Sequence, residues 1–160
     1  MKQDRFLLAI LIFIGVLVIA ALGLFLVRNQ APQYSEDDSP SGVLYNYALA
    51  LQQRDYERAY SYLADNQDKP TYDSFRQAFI SNQLDTSTNA LHIGDIQDQN
   101  NGEAWVNVTV EYAGSGLFNS GWSSPGQAVL EQQDGAWKIS SLPVPYWGWD
   151  WYQVLPVPVK

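Results

Sequence analysis

Three carboxylates in the second half of the chain are residues of the type that could act as a general base. Asp95, Asp98 and Glu111 lie on or near predicted strands. A useful base needs a pKa raised by apolar surroundings, whereas aspartate and glutamate are almost never fully buried without a partner. We therefore interpret these three carboxylates as solvated surface groups.

The sequence lacks the residues that a metal site or a catalytic nucleophile would need. His92 is the single histidine and the chain contains no cysteine, so the nitrogen and sulfur ligands of a zinc site cannot assemble. The sequence also lacks a Ser-His-Asp arrangement, a glycine-rich phosphate loop and an acidic metal motif. We accordingly predict no catalytic residue, no metal and no cofactor.

Three alternating tryptophans near the C-terminal end are the candidate ligand-binding residues. Trp147, Trp149 and Trp151 lie in the aromatic segment 145–152, and in an extended segment they would share one face. Exposed indoles in a row could stack on a sugar, an aromatic ligand or a proline-rich peptide, or enter a lipid interface. The alternative is that the stripe packs over the sheet as part of the core, the commoner use of such area.

The segment Phe6–Val27 is predicted to be a transmembrane helix. It contains no charged and no strongly polar residue, and as a helix it would be about 33 Å long, enough to cross a hydrocarbon core of about 30 Å. A cleaved signal peptide usually has a shorter apolar region followed by small residues. We therefore expect an uncleaved anchor whose partner is the lipid bilayer.

Positive charge around this helix predicts its orientation. Lys2 and Arg5 precede the helix, and Arg28 follows it. Since positive residues favour the cytoplasmic side, we expect a single-pass protein of the cell membrane with a cytoplasmic N-terminus and an extracytoplasmic domain. Gly15 is followed four residues later by Ile19, so no Gly-x-x-x-Gly pair indicates dimerisation within the membrane.

The remaining chain is predicted to be a linker and one domain. Residues 1–28 form the stub and anchor, 29–39 a polar linker, 40–153 the domain and 154–160 a proline-rich tail. The net charge is −8 at pH 7. Such a charge repels phosphate backbones, so we expect no nucleic-acid partner.

Helical patterns come first within the domain, and strand patterns follow. Ser39, Asp55 and Thr71 are predicted N-caps of three helices. Alternating residues then predict four strands, with a bulge at Gly94 and a hairpin turn at Asp134-Gly135; they cover 91–96, 105–112, 127–133 and 136–142. This order predicts an α+β fold, with about three helices packed on a curved antiparallel sheet.

Two motifs resemble those of nuclear transport factor 2-like domains, which share the cystatin-like cone. Residues 55–63, D-Y-E-R-A-Y-S-Y-L, are similar to the family pattern D-Y-x-x-A-Y-x-L-L at the junction of two helices. Residues 133–139, Q-D-G-A-W-K-I, resemble the closing hairpin x-D-G-x-W-K-I. The likeness covers roughly residues 40–142, and the third helix falls where the family has one.

The resemblance implies a cone-shaped α+β fold with a pocket at its open end. That fold carries isomerases and dehydratases as well as domains that only bind or dimerise, so it does not by itself assign a function. We expect a non-catalytic domain that binds a small ligand or an envelope protein. The alternatives are a cone-pocket enzyme of the isomerase or dehydratase kind and a module that forms a homodimer through its sheet.

Overall fold

The computed structural model describes residues 3–28, 32–99, 102–114 and 121–152, with the side chains of 3–6, 26–28, 98 and 99 excepted. The chain forms two compact units, residues 1–33 and 34–160.

The first unit is the helix α1, Gln3–Arg28. It contains the predicted span, and its stretch Leu7–Phe25 has a mean hydropathy of 3.1 with none of it buried. A helix of this length and composition is long and apolar enough to cross a membrane.

Three helices begin the second unit. They are α2, Pro40–Gln52, α3, Tyr56–Ser61, and α4, Tyr72–Ile80. The side chains of Ser39, Asp55 and Thr71 accept hydrogen bonds from backbone N–H groups in the first turns of these helices. The three predicted N-caps are therefore confirmed, and each satisfies a donor that a helix start leaves unpaired.

The sheet has four strands in the order β1-β2-β3-β4, all antiparallel to their neighbours. They are β1, Asn89–Gln99, β2, Glu103–Tyr112, β3, Trp122–Gln133, and β4, Ala136–Ser141. The predicted bulge is confirmed, because the β1–β2 register shifts between Ile93 and Ile96. The hairpin turn is confirmed as well, since Asp134 and Gly135 have φ of 51° and 81°, as a type I′ turn requires.

The strand β3 begins earlier than the sequence predicted. Its pairing with β2 starts at Trp122, opposite Tyr112, rather than at Gln127. Pro125 made this stretch resemble a loop, because proline cannot donate to a ladder. The other side of β3 pairs with β4 only from Val129 onwards, so the proline lies where β3 is an edge strand and its missing N–H costs no ladder bond.

The core lies between the helices and one face of the sheet. Along β2, Val106, Val108 and Val110 are buried, as the alternation predicted. Helix side chains and strand side chains pack together there; the largest fully buried ones are Tyr47, Phe75, Leu44, Leu63, Leu130, Ile139, Val106 and Val110.

Residues 34–39, which we call the N-terminal strap, are held on α2 although the sequence placed them in the linker. The backbone N–H of Ser35 donates to Asn46 Oδ1 at 2.7 Å, and Asn46 Nδ2 donates back to the Ser35 carbonyl at 2.9 Å. Asn46 is buried and Ser35 is half-buried, so the two bonds supply partners to the amide of a buried polar side chain. The guanidinium carbon of Arg58 lies 3.4 Å from the ring centroid of Tyr34 and adds a cation–π contact.

Gly42→Ala tests whether the strap belongs to the folded domain. Alanine normally stabilises a helix by about 1 kcal/mol relative to glycine. Here a Cβ on Gly42 would lie 1.9 Å from the carbonyl oxygen of Asp37, so the strap must move and weaken its bonds to Asn46. We expect the free energy of unfolding, measured by urea titration, to fall by about 1–3 kcal/mol.

The matched control is Ser41→Ala in the same helical turn, which should change the free energy of unfolding by no more than about 0.5 kcal/mol. A more stable Gly42→Ala variant would show that the strap does not lie against α2.

Candidate functional site

The tryptophan segment is folded into turns, so the three indoles do not share one face. The N–H of Trp151 donates to the Gly148 carbonyl at 3.1 Å, which closes a turn. Trp147 and Trp151 are buried, whereas Trp149 is 71% exposed. The extended arrangement considered from the sequence is therefore wrong. The three tryptophans alternate in the sequence, but they do not lie on one face because the segment is not a strand.

Trp147 and Trp151 belong to an aromatic cluster that packs on α4. The Trp151 ring lies 5.3 Å from Phe75 and 5.3 Å from Trp147, between ring centroids. Gly148 allows this packing, because a Cβ there would lie 2.5 Å from the Trp151 ring. These two tryptophans therefore form part of the core, and a ligand could reach them only by displacing it.

The core that the structure describes contains aromatic side chains among a larger number of aliphatic ones; the buried aromatic residues are Tyr47, Phe75, Phe79, Tyr146, Trp147 and Trp151. The Tyr47 hydroxyl is fully buried and donates to the Tyr146 carbonyl at 2.7 Å. Among the residues of known burial, Asn46 is the one buried polar or charged side chain, and the strap already occupies it. The isomerase or dehydratase alternative would need a carboxylate in an apolar cavity, and the candidates Asp95 and Glu111 are exposed.

The candidate carboxylates and the histidine lie at the surface where they are described. Asp95 and Glu111 are exposed. Glu111 Oε2 lies 2.8 Å from His92 Nε2, and both side chains are 59% exposed. The side chain of Asp98 lies outside the described residues. No group of three metal-binding side chains occurs in the part of the chain that the structure describes.

A cleft lies where β1 and β3 begin and β2 ends, and we call it the sheet-end cleft. Its volume is about 660 Å³, and its lining is divided about equally between polar and apolar atoms. It is lined by Ser87, Thr88, Asn89, Ala90, Glu111, Tyr112, Ala113, Gly114, Gly121, Trp122 and Ser123. Its volume is within the range of about 300–1,000 Å³ that is usual for small-molecule sites.

Trp122 is the exposed aromatic residue of this cleft. Its ring stacks on Tyr112 with centroids 4.0 Å apart and planes 6° apart, yet the residue is 62% exposed. The sequence pattern did not indicate this pair, because it placed the start of β3 at Gln127 and so left Trp122 outside every predicted strand. The available signal was Tyr112 itself, since the last residue of β2 needs a partner on β3.

A second cleft, of about 680 Å³, lies where α2 ends and α3 begins, next to the end of α4. It includes the apolar side chains of Leu51, Phe79 and Leu84, with Arg54 and Asp85 also in its lining. Ser87 lines both clefts.

Comparisons with known proteins find only distant likenesses of fold. No protein-family model and no curated protein matches this chain. An NTF-2-like protein of unknown function from Shewanella oneidensis MR-1 is 16% identical, with 61% of this chain and 88% of that chain covered and a TM-score of 0.46. A SEC-C-motif-containing protein from Rhodopseudomonas palustris is 13% identical, with 65% and 77% covered and a TM-score of 0.48.

An uncharacterised cystatin-fold protein from Novosphingobium aromaticivorans is also 13% identical, with 63% of this chain and 95% of that chain covered and a TM-score of 0.44. Neither a family nor an activity follows from these likenesses.

Two tryptophan variants separate the structural role of the segment from a binding role. Trp151→Ala leaves a large cavity among Phe75, Phe79 and Trp147, and we expect it to lower the free energy of unfolding by about 3–5 kcal/mol. Trp149→Ala removes an exposed ring and should change it by no more than about 0.5 kcal/mol. Urea titration of both variants gives the comparison, and equal losses would contradict the observed burial.

Buried tyrosines make the domain sensitive to alkali. Burial raises the pKa of Tyr146 to about 12 and raises the pKa values of Tyr47 and Tyr152 as well. Because an unfolded tyrosine ionises near pH 10, the stabilisation from these neutral hydroxyls is fully present below about pH 10. It is lost as the pH rises towards and through the folded pKa values, and the loss from Tyr146 alone is of order 2 kcal/mol at about pH 12.

Urea midpoints measured between about pH 8 and 12 test this expectation. Tyr146→Phe removes one ionising hydroxyl and should show a shallower decline than the wild-type chain, although it also loses the bond from Tyr146 to the Asn89 carbonyl at neutral pH. Identical pH dependences for Tyr146→Phe and the wild type would contradict the assignment.

Proposed function

We propose that this protein is a single-pass membrane protein whose extracytoplasmic domain has the nuclear transport factor 2-like fold and binds a ligand without transforming it. The membrane helix fixes its location, and the domain supplies the binding surface.

The observation that carries the proposal is the exposed apolar surface of α1. Between Leu7 and Phe25 every described side chain is exposed, with Leu11 and Ile19 each 71% exposed. Soluble monomers rarely leave contiguous apolar patches larger than a few hundred Å² in water. Hydrocarbon is the solvent in which such a surface is stable, because the helix satisfies its own backbone groups there.

The orientation of the anchor is supported by charge. Lys2 and Arg5 on one side outnumber Arg28 on the other, which favours a cytoplasmic N-terminus. The domain follows on the extracytoplasmic side of the cell membrane. The absence of cysteine suits an exported chain that uses no disulfides.

The position of the two clefts supports a binding role. The core is made of buried, packed side chains, whereas both clefts described above open at the surface. The family assignment is supported by the element order and by the hairpin at Asp134-Gly135.

The net charge of −8 supports a partner other than nucleic acid. Homodimerisation through the sheet stays a prediction.

Cysteine labelling tests the topology cleanly because the natural chain has no cysteine. Glu57→Cys places a thiol at an exposed residue of α3, and Lys2→Cys places one before the helix. In intact cells we expect a membrane-impermeant maleimide to label Glu57→Cys, and to label Lys2→Cys only after permeabilisation.

Alkaline carbonate extraction supplies the second readout, and we expect the chain to stay in the membrane pellet. Release into the supernatant would contradict the anchor, whereas retention with the opposite labelling pattern would contradict only the orientation.

A further inference from the structure

We propose that the sheet-end cleft binds a neutral oligosaccharide, with the indole of Trp122 as the surface on which a sugar ring stacks. This inference rests on the proposed binding function and specifies its ligand class. Three features carry it: a fixed aromatic platform, a hydrogen-bonding rim and the absence of lysine and arginine from the lining that the structure describes.

The aromatic platform is open on one side. Tyr112 covers one face of the Trp122 ring at 4.0 Å. Because Trp122 is nevertheless 62% exposed, its other face and its edges must be open to solvent. A planar, exposed indole beside a cleft is suited to the apolar C–H face of a pyranose ring.

The platform is also held in place before a ligand arrives. The Tyr112 hydroxyl donates to the Val144 carbonyl at 2.8 Å, which fixes the ring beneath Trp122. Gly121 lets β3 start close to the end of β2, because a Cβ there would lie 2.2 Å from the Tyr112 carbonyl oxygen. Since these contacts exist without a ligand, stacking needs little further ordering of side chains, which favours affinity.

Hydroxyl, amide and carboxylate groups surround the platform. Thr88, Asn89, Glu111 and Ser123 are among the lining residues. One amide hydrogen of Asn89 is used by the Asp85 carbonyl, and Glu111 Oε2 is held by His92. The second amide hydrogen of Asn89, the Asn89 Oδ1 atom and the second carboxylate oxygen of Glu111 take no part in these two contacts and can exchange hydrogen bonds with the hydroxyls of a sugar.

The charges of the cleft favour a neutral ligand. Its described lining contains no lysine or arginine, so an anion would have no ionic partner there. Glu111 is the one carboxylate of the described lining, and one of its oxygens is already in contact with His92 Nε2. A volume of about 660 Å³ exceeds one sugar ring and points to a chain of several.

The test uses the full chain in nanodiscs of zwitterionic lipid, because maltoside detergents would themselves present a sugar. Cellotetraose, chitotetraose and maltotetraose are titrated separately by calorimetry. We expect at least one of them to bind. The Trp122→Ala variant should then bind that sugar about tenfold or more weakly, a difference of about 1.4 kcal/mol. The Trp122→Phe variant retains a ring and should lose less.

Trp149→Ala is the matched control, because it removes an equally exposed indole outside the cleft. It should bind like the wild type, and affinity should not change between about 50 and 500 mM salt because the ligand carries no charge. No binding of any of the three sugars would overturn the proposal, as would undiminished binding by Trp122→Ala.

Two further results would overturn the saccharide assignment. One is an equal loss of affinity in Trp149→Ala and Trp122→Ala. The other is binding of a proline decamer in place of all three sugars. These outcomes are independent of the cysteine labelling, which tests the membrane topology and not the ligand.

Discussion

The contact of the Trp151 indole with Phe75 on α4 is the interaction on which the rest of the domain depends. It brings the C-terminal segment back over the helices, and Gly148 gives the ring its space. The same segment then makes two buried or half-buried tyrosine bonds, from Tyr47 to the Tyr146 carbonyl and from Tyr146 to the Asn89 carbonyl. The first bond joins α2 to the C-terminal segment across 99 positions of sequence, and the second joins that segment to β1 across 57 positions.

This closure decides where function can lie. A ligand that entered the core would have to displace well-packed side chains, and that displacement costs free energy. The surface clefts are different, because their space exists in the folded chain. The closing segment also reaches one of them, since the Val144 carbonyl accepts the bond that fixes Tyr112 beneath Trp122.

Features encoded by a few neighbouring residues could be predicted from the sequence. The caps at Ser39, Asp55 and Thr71 and the turn at Asp134-Gly135 depend on side-chain and backbone chemistry within four residues. Features that depend on residues distant in the sequence could not be predicted. Trp147 and Trp151 are buried because α4 supplies Phe75 and Phe79, the start of β3 depends on Tyr112, and residues 34–39 are ordered by Asn46.

The same distinction applies to the tryptophans as ligand-binding candidates. Their regular spacing made Trp147, Trp149 and Trp151 equal candidates, yet Trp149 is exposed whereas the other two are buried. Exposure alone does not make a site, however. Trp122 is exposed and also stacks on Tyr112, whose hydroxyl is hydrogen-bonded to the Val144 carbonyl, and polar residues line the same cleft. A ligand that stacks on Trp122 therefore loses little free energy to the ordering of side chains. A fixed indole beside hydrogen-bonding groups can select a ligand's shape, and it is this combination rather than the number of tryptophans that distinguishes a recognition surface from a core.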